Sequence, residues 1–168
     1  MADTVLLHPN RDKASSKATK AIVVLLLVAS AALILIVTLG GWSHLQGMQP
    51  LSFAYVIVYA VMAFAVTRWS RGVLPVAAAL AVLFAVVAGV AGPAWFERDK
   101  AGFDDPALDP ALLGMLTVII VPVQILLALF AMRGFQQQWN VEVEVSREEA
   151  DRYGQGGVSG GQLRPVEQ

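Results

Sequence analysis

The sequence predicts an all-α integral membrane protein, with four transmembrane helices arranged as antiparallel hairpins and a short cytoplasmic C-terminal extension. Three observations carry that reading. No Asp, Glu, Lys or Arg occurs in 21–67, 72–96 or 110–132. Those gaps hold four apolar runs of the length that a bilayer core demands. The basic residues, finally, gather on one side of the runs. Composition agrees, since 57% hydrophobic and 15% charged residues in a chain of 168 is too apolar for an ordinary soluble domain. The chain divides into a cytoplasmic N-terminal segment (1–20), a four-helix transmembrane domain (21–132) and a cytoplasmic docking tail (133–168) that is flexible at its end. Neither tail is large and apolar enough to form a separate catalytic domain. Cysteine is absent, which excludes disulfides, thiolate metal sites and thioether haem attachment.

The first span, 21–39, follows a polar lead containing Arg11, Lys13, Lys17 and Lys20. It exceeds the usual core of a signal peptide and no small-x-small cleavage site follows, so a retained anchor is expected. The second span, 51–67, is the shortest; Pro50 stands where a first-turn proline costs no internal hydrogen bond, and Trp69 extends the apolar length into the interface. Ser70, Arg71 and Gly72 then turn the chain tightly into the third span, 73–96. Gly92 and Pro93 are expected to end or kink this helix before Trp95 and Phe96. Asp109 and Pro110 announce the fourth span, 111–132: the carboxylate caps free amides and the proline supplies the first helical position.

Ten basic residues fall on the side shared by both termini, against Arg98 and Lys100 on the other. This bias predicts cytoplasmic termini in a bacterial-type cytoplasmic membrane. The loop 97–110, with Glu97, Asp99, Asp104, Asp105 and Asp109, then faces outward. Its acidic spacing lacks the alternating ligands of a calcium loop, so a solvated loop or a docking surface is the better reading.

Helix association in lipid depends on close backbone approach and interhelical polar contacts. Ala77, Ala81, Ala85 and Gly89, with the nearby Ala88 and Gly92, form a small-residue stripe on the third span. Gln124 is the strongly polar side chain deep in the fourth span, two residues after Pro122, on a face shared with Thr117, Val121, Ala128 and Ala131. An interhelical hydrogen bond that satisfies the amide is preferred there over contact with a quinone, lipid head group or substrate. Tyr55 and Tyr59, one turn apart on the second span, are expected as an aromatic patch near the outer interface, in contact with lipid or a partner. In the tail, Val141, Val143 and Val145 alternate with Glu142 and Glu144 in the period of a half-buried strand, and with Trp139 they are further candidates for partner contact. Such a strand pairs with a neighbouring subunit or lies extended on the surface. Ser146 and Glu149 form a capping box for a short helix to about residue 153.

The inventory limits chemistry. His8 and His44 lie outside the spans, so a transmembrane haem held by two histidines of this chain is excluded, and no zinc or phosphate-loop spacing occurs. No catalytic, cofactor-binding or metal-binding residue is expected; haem, quinone or metal would belong to partner subunits. Acidic residues in the tail argue against nucleic-acid binding. The expected function is a non-catalytic accessory, structural or assembly subunit of a larger membrane complex, with other integral membrane subunits and lipids as partners. By analogy alone, a respiratory or other energy-transducing complex is the host class. The alternatives are a small transporter or lipid-handling protein, which needs a polar groove near Gln124, Tyr55 or Tyr59, and a membrane enzyme, which needs His44, Asp104 and Asp105 around a pocket.

Overall fold

A computed structural model describes residues 4–45, 47–98 and 106–155. The chain opens with strand β1 (Thr4–Leu7) and one helical turn, α1 (Pro9–Asp12). Four long helices follow: α2 (Ala14–Gly40), α3 (Gln49–Thr67), α4 (Val73–Glu97) and α5 (Pro110–Gln136). Strand β2 (Val143–Ser146) and helix α6 (Arg147–Gln155) come last. At 1.5 Å per residue the long helices measure roughly 28 to 40 Å, against a hydrocarbon core of about 30 Å. All four are long and apolar enough to cross a bilayer, and the protein is a multi-pass integral membrane protein.

Each long helix is apolar around most of its circumference. No more than 33% of the most apolar window of any of them is buried inside the chain, so the larger part of every span faces outward. That is the pattern of a lipid-exposed bundle rather than of a soluble one, whose outer faces would be polar. Within the bundle α4 packs most extensively on α5, and α2 contacts both α3 and α5. Of the long helices consecutive in the chain, α3 and α4 share the shortest connection yet touch least. Their meeting point includes the rings of Tyr55 and Phe84, with centroids 4.6 Å apart.

The helix ends explain themselves locally. The Asp109 carboxylate accepts from the amides of Ala111 and Leu112 at 2.9 and 3.1 Å and starts α5, as its sequence suggests. α3 ends in a Schellman motif: the Trp69 amide donates to the Val66 carbonyl, and the Ser70 amide to that of Ala65. Trp69 occupies the left-handed position, at φ 62°, where glycine is the usual residue. Gln138 does the same beyond α5, at φ 49°.

Several expectations shift. α4 does not end at Gly92 and Pro93 but runs on to Glu97. Pro93 forfeits only its own amide, and Trp95, buried against Gly41, anchors the last turn. α2 begins seven residues before the apolar run and α5 continues four residues past it, because polar side chains at those turns find partners within the chain. Ser16 and Thr19 are buried there. The tail strand finds a partner within the chain: β2 lies antiparallel to β1, with Val5 opposite Val145 and Leu7 opposite Val143. β1 has no counterpart in the sequence reading. The Ser146 and Glu149 contacts, at 3.4 and 3.5 Å, form at the start of α6.

Candidate functional site

Two polar assemblies stand out in an otherwise apolar molecule. The first lies in the middle of the bundle. The Tyr59 hydroxyl donates to Gln124 Oε1 at 2.8 Å, Gln124 Nε2 donates to Ser30 Oγ at 3.0 Å, and Ser30 Oγ donates to the Leu26 carbonyl at 2.7 Å. All three side chains are fully buried. The relay ties α3 to α5 and α5 to α2, which sets the register of three helices at one level. A buried amide in apolar surroundings is costly unless its donors and acceptors are met. Among the described residues no buried side-chain nitrogen or oxygen lacks a partner. The bonds of this hydroxyl–amide–hydroxyl relay run between helices, and they fix how α2, α3 and α5 stand relative to one another.

The second assembly closes the end of the bundle that carries both terminal segments. At its centre Trp139 is fully buried. Its ring meets Trp69 edge to face, with centroids 5.3 Å apart, and its indole N–H donates to Gln137 Oε1 at 3.0 Å. Lys20 Nζ lies 4.0 Å from the Trp69 ring centroid and donates to the Thr67 carbonyl at 3.0 Å. Arg71 Nε donates to the Phe135 carbonyl at 2.7 Å, and its guanidinium stacks 4.1 Å from the Phe135 ring. Two cations thus satisfy carbonyls at the C-terminal ends of α3 and α5, where the helix dipole favours positive charge. Arg11 Nε reaches the Trp139 carbonyl at 2.9 Å, while Asn10 Nδ2 reaches that of Gln138 at 3.1 Å. Gln137 Nε2 adds a bond to Thr19 Oγ1 at 3.0 Å. The strained backbone at Trp69 and Gln138 is therefore held from several directions, which is the condition under which such strain persists.

The sequence-predicted residues fall into three groups. Gln124 is at the heart of the relay, and Ala77 and Ala81 are fully buried on α4. Ala85 is half-buried, while Gly89 points outward, with nothing within 4 Å of where a Cβ would stand. Steps of four residues drift by about 40° each around a helix, so the inward row continues through Phe84, Ala88 and Gly92 instead. A Cβ on Gly92 would meet Val118 Cγ2 at 2.9 Å, and this is the close approach between α4 and α5. Tyr55 is half-buried against Tyr59 and Phe84. Tyr59, Trp139 and Val145, expected as lipid or partner contacts, are instead fully buried by the chain itself. Their hydrogen bonds and strand pairing fill the roles assigned to outside molecules. Val141 and Val143 are half-buried.

At the opposite end, His44 Nδ1 lies 2.9 Å from Ser43 Oγ, and its ring stands 6.3 Å from that of Trp95. Asp99, Lys100, Asp104 and Asp105 lie outside the described residues. No group of three or more His, Asp or Glu suited to a metal ion occurs among the described residues. Ser30, Trp69 and Arg71 are among the residues of these assemblies that the sequence reading misses as site residues. Ser30, a lone hydroxyl in the middle of the first span, carries a signal that would have found it. Comparison of the chain with protein-family models, curated proteins and solved structures found no match.

Proposed function

We propose that this chain is a non-catalytic accessory, structural or assembly subunit of a larger membrane complex. In this reading it crosses a bacterial-type cytoplasmic membrane as antiparallel hairpins, with both termini on the cytoplasmic side. A respiratory or other energy-transducing complex is the first host class to test. One observation carries the proposal. The polar side chains deepest in the bundle bond to one another inside the chain, while its outward helix faces stay apolar and are available for lipid or neighbouring helices. A chain of this kind contributes surface and shape, and partner subunits carry haem, quinone or metal. The sidedness draws support from the basic residues near the ends of the spans and from the pairing of β1 with β2 at a single end.

The test is extraction in a mild detergent followed by native mass measurement and identification of copurifying chains. A cofactor-bearing membrane subunit in fixed stoichiometry is the expected result. Recovery only as a monomer or homo-oligomer, together with solute transport after reconstitution of the chain alone, would overturn the proposal. Since the chain has no cysteine, single cysteines introduced at Ser43 and Ala150 can be labelled from either side. Labelling of position 150 from outside would contradict the orientation.

A further inference from the structure

The terminal elements belong more to one another than to the spans. β1 pairs with β2 and α6 packs on both strands, whereas none of the three packs extensively on a long helix among the described residues. Polar contacts follow the same division. Thr4 Oγ1 donates to Glu144 Oε1 at 2.6 Å, His8 Nε2 lies 3.1 Å from Glu142 Oε1, and Asn10 and Arg11 donate to the carbonyls of Gln138 and Trp139. Each of these joins the N-terminal segment to the tail across 128 positions or more. The apolar groups divide likewise: Val5, Leu7, Val143 and Val145 lie outside the continuous core of the spans, and Trp139 is part of it.

Trp139 is thus the large side chain that fastens this unit to the bundle. Its ring fills a seat shaped for it: a Cβ on Gly134 would come within 3.0 Å of Trp139 Cζ2 and 3.2 Å of Leu74 Cδ1, and Trp69 meets the ring edge to face. Lighter ties run from Arg71 Nη1 to Asn140 Oδ1 at 2.9 Å and from Gln137 Nε2 to Thr19 Oγ1 at 3.0 Å. The unit joins the spans through two non-helical residues. Lys13, at φ −60° and ψ 132°, separates α1 from α2. Gln138, at φ 49°, turns the chain back so that Trp139 reaches Gly134, five residues earlier. A left-handed residue that carries a Cβ is strained, and its strain persists only while surrounding contacts hold it. A two-stranded ribbon is also marginal by itself, so departure of Trp139 from its seat removes the support of both strands at once.

We infer that the N-terminal segment and the tail form a latch, bolted to the spans by Trp139, which releases and re-engages as one cooperative unit while the four spans stay folded. Release opens the seat between Trp69, Leu74 and Gly134 and relaxes the strain at Gln138. The inference does not depend on the accessory-subunit reading. It is tested by amide hydrogen exchange of the full chain in nanodiscs, read by mass spectrometry of its peptides. Segments 4–12 and 139–146 are expected to share one opening constant, with the spans exchanging far more slowly. Trp139→Ala is expected to remove protection from both segments and to leave the spans protected. Gln138→Gly relieves the left-handed strain and keeps the bonds of the latch, because Asn10 binds the backbone carbonyl there. After the entropic cost of glycine it is expected to raise protection in both segments alike, by about three-fold, and it serves as the test even where Trp139→Ala fails to accumulate. Unequal opening constants for the two segments would overturn the latch, and so would a response to Gln138→Gly that is absent or confined to its neighbours. Wild-type protection equal to that of the spans, or loss of span protection in Trp139→Ala, would overturn it as well by making the end inseparable from the bundle.

Discussion

The middle of the bundle and its terminus-bearing end hold the same helices together by different means. In the middle, the α4–α5 contact rests on small residues such as Gly92 against Val118, and α2, α3 and α5 share one short relay of neutral groups. At the end, long cationic and amide side chains from one segment satisfy helix carbonyls of another, around the buried Trp139 and the half-buried Trp69. The difference follows from solvent. Within lipid an unmet polar group has no water to turn to, so few polar groups are admitted and those few must satisfy one another. Where the spans emerge, the last carbonyls of each helix need donors, and lysine and arginine supply both donor and favourable charge.

The largest expected effect separates the two regions directly. Trp139→Ala removes a fully buried indole and should cost about 3–5 kcal/mol in thermal unfolding of the detergent-solubilised protein, if end and middle unfold together. A loss below about 1 kcal/mol would mean that the end opens on its own and stabilises the spans little. Next in size is a paired substitution on α4. Gly92→Leu drives a side chain into Val118 and should destabilise by about 1–3 kcal/mol. Gly89→Leu enters open space and should stay within about 0.5 kcal/mol; equal effects would refute the assignment of the close-packed face. The smallest effect belongs to the relay. Gln124→Leu and Tyr59→Phe, combined in a double-mutant cycle, should show a coupling of about 1 kcal/mol. Zero coupling would leave the helices held by packing alone.

Much of the middle was legible because lipid imposes a simple rule on sequence. Charge-free runs located all four spans, and Asp109 with Pro110 marked the start of α5 to the residue. Gln124 was legible as the lone amide at depth. Its partners were not, since Tyr59 and Ser30 lie 65 and 94 residues away in the chain and meet it only once the helix register is known. The small-residue row occupies buried positions at Ala77 and Ala81 and then drifts outward at Ala85 and Gly89, a consequence of following steps of four where the inward face mixes three and four. The end was the least legible. Four residues, Thr4 to Leu7, are too short to show a strand period. The burial of Trp139 also depends on side chains from α2, α3 and the N-terminal segment that no local pattern connects.

Pairing β1 with β2 also orders events in time. Thr4 and Glu144, hydrogen-bonded at 2.6 Å, are separated by 140 positions, and all four spans lie between them. A chain made from its N-terminus therefore holds β1 ready from the outset, yet it cannot complete the strand pair until the last helix has been synthesised and returned to the same side. Contacts of such long sequence separation form late. The two-stranded ribbon is thus a seal on finished insertion: a chain missing or misplacing one span would bring its ends out on opposite faces and leave both strands unpaired.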